Sequence, residues 1–338
     1  MNTLNYISKK KQTYSISDNV KRYLQFYGRL LELPLSYQSL LRYKESFSLD
    51  SSLWQTVIYD PEDAVEINRG LCYIYSLLKT SGNMMVMEHL RVDRVDLCMF
   101  GNSKPFRIRI INDFNDNYDY FYVKRADLSR VVGLEVEDLL SPNRISYFVH
   151  KDTLIEEHIT GIPGDEFLIN ELNRPRLNKT RLAKEFIKFN ERCFYNLLGD
   201  MRSYNFVVEV THDFDGVQYR IRAIDFDQQC YEGRSRLYRP QFYKENLPFV
   251  NLVVENLNKE TIVQYQSEER SRLAQRVKHS RYTLIDLFET MSKEELSPKD
   301  KIENLGIELA KYHKNESFKK CNSMAELLKN QLLILNKD

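Results

Sequence analysis

LLGDMRSYNFVVEV (residues 197–210) and RAIDFD (222–227) are the stretches whose reading decides the fold. NFVVEV (205–210) and VQYRIRAIDF (217–226) alternate apolar and polar residues, and Asp215-Gly216 between them is a favourable tight-turn dipeptide. They read as the two strands of a hairpin. Asp200 and Asn205 stand at the mouth of the first strand, and Asp225 and Asp227 close the second. A carboxylate, a carboxamide and another carboxylate therefore converge at one end of the hairpin.

Working outward, residues 181–198 place Leu182, Phe186, Phe189, Cys193 and Leu197 on one helical face. Further upstream, HLRVDRVDLCMF (89–100), FRIRIIN (106–112) and DYFYVKR (119–125) are rich in β-branched and aromatic residues and separated by the turn compositions GNSKP and DFNDN. They predict three antiparallel strands. A helix over 127–140 stops at Ser141-Pro142, and ISYFV (145–149) and TLIEEH (153–158) are two more strand candidates. Residues 1–88 read as helical. Asp60 stands at an N-cap, Pro61 at the first helical position, Ile67, Leu71, Ile74 and Leu78 on one stripe, and Gly82 at the stop. An earlier helix over 17–33 aligns Val20, Leu24, Tyr27 and Leu31 and ends before Pro34. Beyond residue 243 only helical patterns occur, one opening at Ser297-Pro298 with Asp300 in its first turn. No repeat of 20 to 50 residues is visible. The element order is that of an α+β protein.

Composition sets outer limits. A chain of 338 residues with 42% hydrophobic and 29% charged residues is globular, and it is long enough for two folding units. Forty-nine basic against 48 acidic side chains leave +1, which disfavours a partner held by bulk charge, nucleic acid and membrane alike. Five scattered cysteines form no CxxC pair and no zinc spacing, so a reduced, intracellular chain is expected. Lys9 to Lys11 precede no apolar run, and no stretch reaches the length of a membrane span, which makes the cytoplasm the expected location.

The hairpin resembles the catalytic loop and metal motif of the protein-kinase-like superfamily, particularly its aminoglycoside phosphotransferase and choline kinase branch. There the loop runs Gly-Asp, four residues, Asn, as Gly199, Asp200 and Asn205 do here, and the metal motif reads Ile-Asp, an aromatic and an acidic residue, as in 224–227. The resemblance implies a bilobal fold with a small antiparallel-sheet N-lobe and a mainly helical C-lobe. It implies ATP and Mg²⁺ as cofactors and transfer of the γ-phosphoryl group to a hydroxyl of a small molecule or protein. The residue types suit that chemistry, because phosphoryl transfer needs a carboxylate to orient the acceptor hydroxyl and hard oxygen ligands for the metal. Asp200 would be the catalytic base, Arg202 a cation near the transferred group, Asn205 and Asp225 the metal ligands, and Asp227 a secondary metal or network residue.

Upstream features follow in the order that the superfamily requires. Lys124, ending YFYVK, resembles the lysine that holds nucleotide phosphates. On the next helix Val131, Val132, Val136, Leu139 and Leu140 form an apolar arc that contains Glu135, whereas Glu137 points away, so Glu135 is the expected partner of Lys124. TLIEEHITGIPGDEF (153–167) resembles the last N-lobe strand and hinge, where backbone near Glu157 and Ile159 would bind the adenine edge and His158 would lie on the surface. The phosphate-covering hairpin departs from the family in having only Gly101, and Ser103 or Lys104 is the expected substitute. The domains implied are an N-terminal helical extension (1–88), an N-lobe with hinge (89–160) and a C-lobe (161–338).

Other signals read more plainly. DFNDNYD (113–119) has Tyr118 where a calcium loop needs glycine, and is a polar turn. Glu156 and Glu157 are adjacent on a strand and face opposite ways, which defeats a paired-carboxylate role. Arg234, Arg236 and Arg239 read as a solvated loop or an anionic-acceptor contact. Arg270, Arg272, Arg276, Lys278 and Arg281 read as a solvated, salt-bridged helix face. Rival readings of the whole are a nucleotide-binding pseudokinase that docks a protein partner on its N-terminal helices, an AMP-transferring enzyme of the same fold, and a helical interaction module.

Overall fold

The computed structural model describes residues 11–48, 53–80, 88–99, 103–175, 177–213 and 216–335. Gly82, Gly101 and Asp215, which the sequence marks as turn or stop residues, lie outside them. The described chain is α+β and forms two compact units, one of residues 11–16, 24–127 and 146–158, the other of 17–23, 128–145 and 159–335.

The first unit is built on a seven-stranded antiparallel sheet. Strands β1 (Glu45–Phe47), β2 (Trp54–Ile58), β3 (Leu90–Cys98), β4 (Phe106–Asn112), β5 (Tyr118–Arg125), β6 (Tyr147–His150) and β7 (Thr153–Glu157) run in the order β1-β2-β3-β4-β5-β7-β6. The period-2 pattern of β4 sends Phe106, Ile108 and Ile110 into the core. After the short α2 (Tyr37–Leu40), helix α3 (Pro61–Thr80) supplies Ile67, Leu71, Ile74 and Leu78 to the same cluster, and Pro61 opens it as expected. The turn between β4 and β5 is polar, with the Asn112 and Asn115 carboxamides accepting from the Phe114 and Asn117 N–H groups at 2.9 and 3.0 Å.

Two expectations for the N-terminal region need correction. The helix predicted over 17–33 is shorter: α1 (Asp18–Phe26) ends where Gly28 takes φ +68°, and the Arg29 and Leu30 N–H groups donate back to the Leu24 carbonyl at 2.7 and 3.2 Å. Nor do the described residues of 1–88 read as helical throughout, because β1 and β2 belong to the sheet and α3 packs into its core. The unit boundaries fall at 16/17, 23/24, 127/128, 145/146 and 158/159.

The second unit holds α4 (Leu128–Leu140), α5 (Gly164–Asn170), α6 (Lys179–Tyr195) and the helices α7 (Leu247–Asn256), α8 (Lys259–His279), α9 (Arg281–Met291), α10 (Lys299–His313) and α11 (Met324–Ile334). Its small sheet orders β10 (Gly216–Ala223), β9 (Phe206–Asp213) and β8 (Ile162–Pro163). Helix α6 is its spine. Asn178 caps it by accepting from the Arg181 N–H at 3.0 Å, and Leu182, Phe186, Phe189 and Cys193 are buried, with Phe186 stacked on Phe249 of α7 at 5.2 Å. Helix α4 is enclosed on nearly all sides, so Glu137, expected to point away from the apolar arc, is buried as well. Burial raises its carboxyl pKa, and the Ser141 hydrogen bond and the charges of Arg192, Arg222 and Arg276 pull it back.

Candidate functional site

The loop that follows α6 is held in an uncommon backbone conformation. Leu197 (φ +51°), Asp200 (φ +56°) and Cys230 (φ +52°) all occupy the left-handed region, at about 1 kcal/mol each for non-glycine residues. Pairing between two short segments stabilises this arrangement. Leu198 bridges Gln229, the Cys230 N–H donates to the Leu197 carbonyl at 2.9 Å, and the Gly199 N–H donates to the Gln228 carbonyl at 3.3 Å. A Cβ on Gly199 would lie 3.1 Å from that carbonyl, which accounts for a glycine before Asp200. The Asp200 N–H donates to the Tyr243 hydroxyl at 3.0 Å, and that hydroxyl donates to the Leu237 carbonyl at 2.6 Å.

Three side chains from this loop meet. Arg202 donates through Nε to Asp200 Oδ1 at 2.8 Å and through Nη1 to Glu245 at 2.6 Å. Asn205 donates through Nδ2 to the Asp200 carbonyl at 2.7 Å, which turns its Oδ1 away from that carbonyl. Burial raises the Asp200 pKa above the ordinary aspartate value. Arg202 opposes the rise through its hydrogen bond and charge, whereas Glu232 and Glu245 add to it.

The returning strand stops at Ala223, three residues short of the expected end, so 224–227 is free to form a loop. The Ile224 N–H donates to the Asn205 carbonyl at 3.0 Å, and the Ala223 to Phe206 register aligns the two loops. The hairpin thus brings Asp225 beside Asn205. The Asp227 N–H donates to Asp225 Oδ1 at 3.1 Å.

Sequence reasoning missed Arg130 of α4. Its guanidinium bridges both carboxylates, donating through Nη2 to Asp225 Oδ1 at 2.7 Å and through Nε to Asp227 Oδ1 at 2.8 Å. The Arg130 side chain is 3% exposed, against 32% for Asp225 and 14% for Asp227. Gly133, one turn along, permits the approach, because a Cβ there would fall 2.8 Å from the Phe226 Cβ. An arginine among the apolar residues of 128–140, with a glycine one turn later, was the available signal.

The remaining candidates are placed as follows. Lys124 on β5 is buried and ion-paired with Glu156 of β7, a carboxylate that the sequence reading had not paired with it. Glu135 on α4 is buried and accepts from the Tyr23 hydroxyl at 2.6 Å. The Glu157 N–H donates to the Ser146 carbonyl at 3.0 Å, and the Glu157 carboxylate accepts from the Ser146 N–H at 2.7 Å. Ile159 is buried and Ser103 half-buried. His158, expected on the surface, is packed edge-on against Tyr120 at 5.5 Å and shares a 3.2 Å hydrogen bond with the Tyr122 hydroxyl. Arg234 and Arg236 are exposed, whereas Arg239 lies 4.0 Å from the Phe194 ring and 4.5 Å from that of Tyr312.

Among the described residues, no three His, Cys, Asp or Glu side chains gather as a metal-binding group. The candidate donors are instead the Asn205 carboxamide oxygen and the carboxylates of Asp225 and Asp227. These are hard oxygens of the type that Mg²⁺ takes, since it usually binds one or two carboxylates and keeps several waters. No helix among the described residues is long and apolar enough to cross a membrane. No family model matches the chain, and no curated protein matches it in sequence.

Proposed function

We propose that the chain is an ATP- and Mg²⁺-dependent phosphotransferase of protein-kinase-like, bilobal fold, acting on an acceptor hydroxyl. The observation that carries the reading is the joint between the two loops. Asn205 is held to the Asp200 carbonyl by its amide nitrogen and to the Ile224 N–H by its own carbonyl, which sets a base candidate and two oxygen ligands at one end of the hairpin. Lys124, Glu135, Ser103 and the backbone near Glu157 and Ile159 keep the nucleotide-binding roles that the resemblance gives them.

Asn205 and Asp225 would hold the Mg²⁺ ion, with Asp227 supporting Asp225, and the bound ion would offset phosphate charge. Asp200 would accept the proton of the acceptor hydroxyl as its oxygen bonds to the γ-phosphorus and the bond to the β-phosphate oxygen breaks, releasing ADP. Its raised pKa makes it a stronger base than an ordinary aspartate. Arg202 holds Asp200 by Oδ1, and Oδ2, which takes a longer 3.5 Å hydrogen bond from Asn205 Nδ2, would be the oxygen for the hydroxyl. Release of label from γ-labelled ATP, to water or to an added hydroxyl acceptor, tests this. Asp200→Asn should abolish it while sparing ATP binding, and equal rates in both proteins would refute the assignment.

Arg130 favours a second reading. A guanidinium on Asp225 already supplies a positive charge where the ion would sit, as suits a pseudokinase that binds nucleotide without turnover. Nucleotide binding without release of label, in wild type as in Asp200→Asn, is the result that selects it.

A further inference from the structure

Away from these loops, the second unit contains a cavity of about 320 Å³ walled by α6, α8 and the β9–β10 hairpin. Five cations line it, Lys188, Arg192, Arg220, Arg272 and Arg276, against two carboxylates, Glu185 and Glu269. Buried Arg192 takes both carboxylates, at 3.0 and 3.2 Å, and also donates to the Ile221 carbonyl at 3.0 Å. Lys188 and Arg220 reach carboxylates outside the lining, Glu268 at 4.0 Å and Glu209 at 3.9 Å.

Arg272 and Arg276 are left over. Among the described residues neither has a carboxylate within 4.0 Å, and Arg276 donates only to the Leu140 carbonyl, at 3.1 Å. They are one turn apart on α8, a like-charge spacing that destabilises a helix. Burial and the charges of Arg192 and Arg272 lower the Arg276 pKa, while Glu269 and Glu137 act against that. On the opposite wall Thr211 and Gln218 are direct cross-strand partners, so a hydroxyl and a carboxamide face the same space. Guanidinium groups recognise phosphate oxygens in bidentate fashion, and small-ligand pockets begin at about 300 Å³.

We propose that this cavity binds a small, free, phosphate-bearing anion of at least two negative charges, of the organic diphosphate or sugar phosphate class, with Arg272 and Arg276 as its principal contacts. The site is distinct from the loops at Asp200 and Asp225 and does not depend on the phosphotransferase reading. Calorimetric titration of the full chain with inorganic pyrophosphate, in EDTA and at constant ionic strength, tests it. Saturable binding is expected in the wild type and in Asp225→Asn, weakened at least tenfold in Arg272→Gln and in Arg276→Gln. Arg272 is exposed, so its variant keeps the fold, which circular dichroism checks. Each of three results would overturn the proposal: no saturable binding at millimolar pyrophosphate, wild-type affinity in both arginine variants, or sulfate binding as tightly as pyrophosphate. Loss of binding in Asp225→Asn would also overturn it, by placing the anion at the other loops.

Discussion

Replacing Arg130 by methionine keeps the apolar stem of the side chain and removes the charge that joins Asp225 to Asp227. Both carboxylate contacts are 2.7 Å long, and the arginine side chain is 3% exposed. Removing one partner of a fully buried ion pair costs about 3–5 kcal/mol. Asp225 is a third exposed, so water recovers part of that loss, whereas Asp227 at 14% recovers less. The expected loss is therefore about 2–4 kcal/mol, read from urea unfolding followed by far-ultraviolet circular dichroism, which the helices of the second unit dominate. In a cycle with Asp225→Asn, the double variant should lose less than the sum of the singles, by about 1–3 kcal/mol. Two carboxylates left without their guanidinium should also attract a divalent cation, so Mg²⁺ should stabilise Arg130→Met more than wild type. A loss under about 1 kcal/mol, an additive cycle and an unchanged Mg²⁺ response would refute this account of the site.

Two pH predictions follow from the same geometry. The acid limb of the phosphotransfer rate should lie above the ordinary aspartate value of 3.8, because burial raises Asp200. Arg202→Gln removes the hydrogen bond and charge that favour the carboxylate and should move that limb further up. A limb moving down would contradict the assignment of Asp200 as base. Burial lowers the His158 pKa below 6.5, so the folded state binds fewer protons there than the unfolded chain. Its contribution is fully present above pH 6.5 and lost as pH falls through the folded value. Urea unfolding followed by fluorescence of Trp54, the single tryptophan, should show this slope in wild type and its loss in His158→Gln.

The legible parts of the fold were those with redundant local signals. Helix α3 has both Asp60-Pro61 at its start and a four-residue apolar stripe, and β4 alternates from Phe106 to Ile110. Strand β1 carries three exposed residues and no pattern, so only its pairing with β2 makes it a strand. The early end of α1 depended on Gly28, whose φ is set by the backbone bonds back to Leu24 and not by periodicity. At the candidate site, residues adjacent in sequence were readable. Asp200, Arg202 and Asn205 meet within one loop, and the hairpin register joins that loop to 224–227. Arg130 and Glu156 were hidden because their partners come from distant sequence, Asp225 lying 95 residues from Arg130 and Glu156 lying 32 from Lys124. No local pattern encodes such pairings.

The most direct test of the central claim is thermal unfolding with Mg²⁺ alone, ATP alone and both, in wild type and in Asp225→Asn. A ligand at 100 times its Kd adds about 2.7 kcal/mol of stability. A shift that needs both Mg²⁺ and ATP, and that Asp225→Asn loses, is the predicted result. No shift at millimolar nucleotide, or an equal shift in the two proteins, would contradict it.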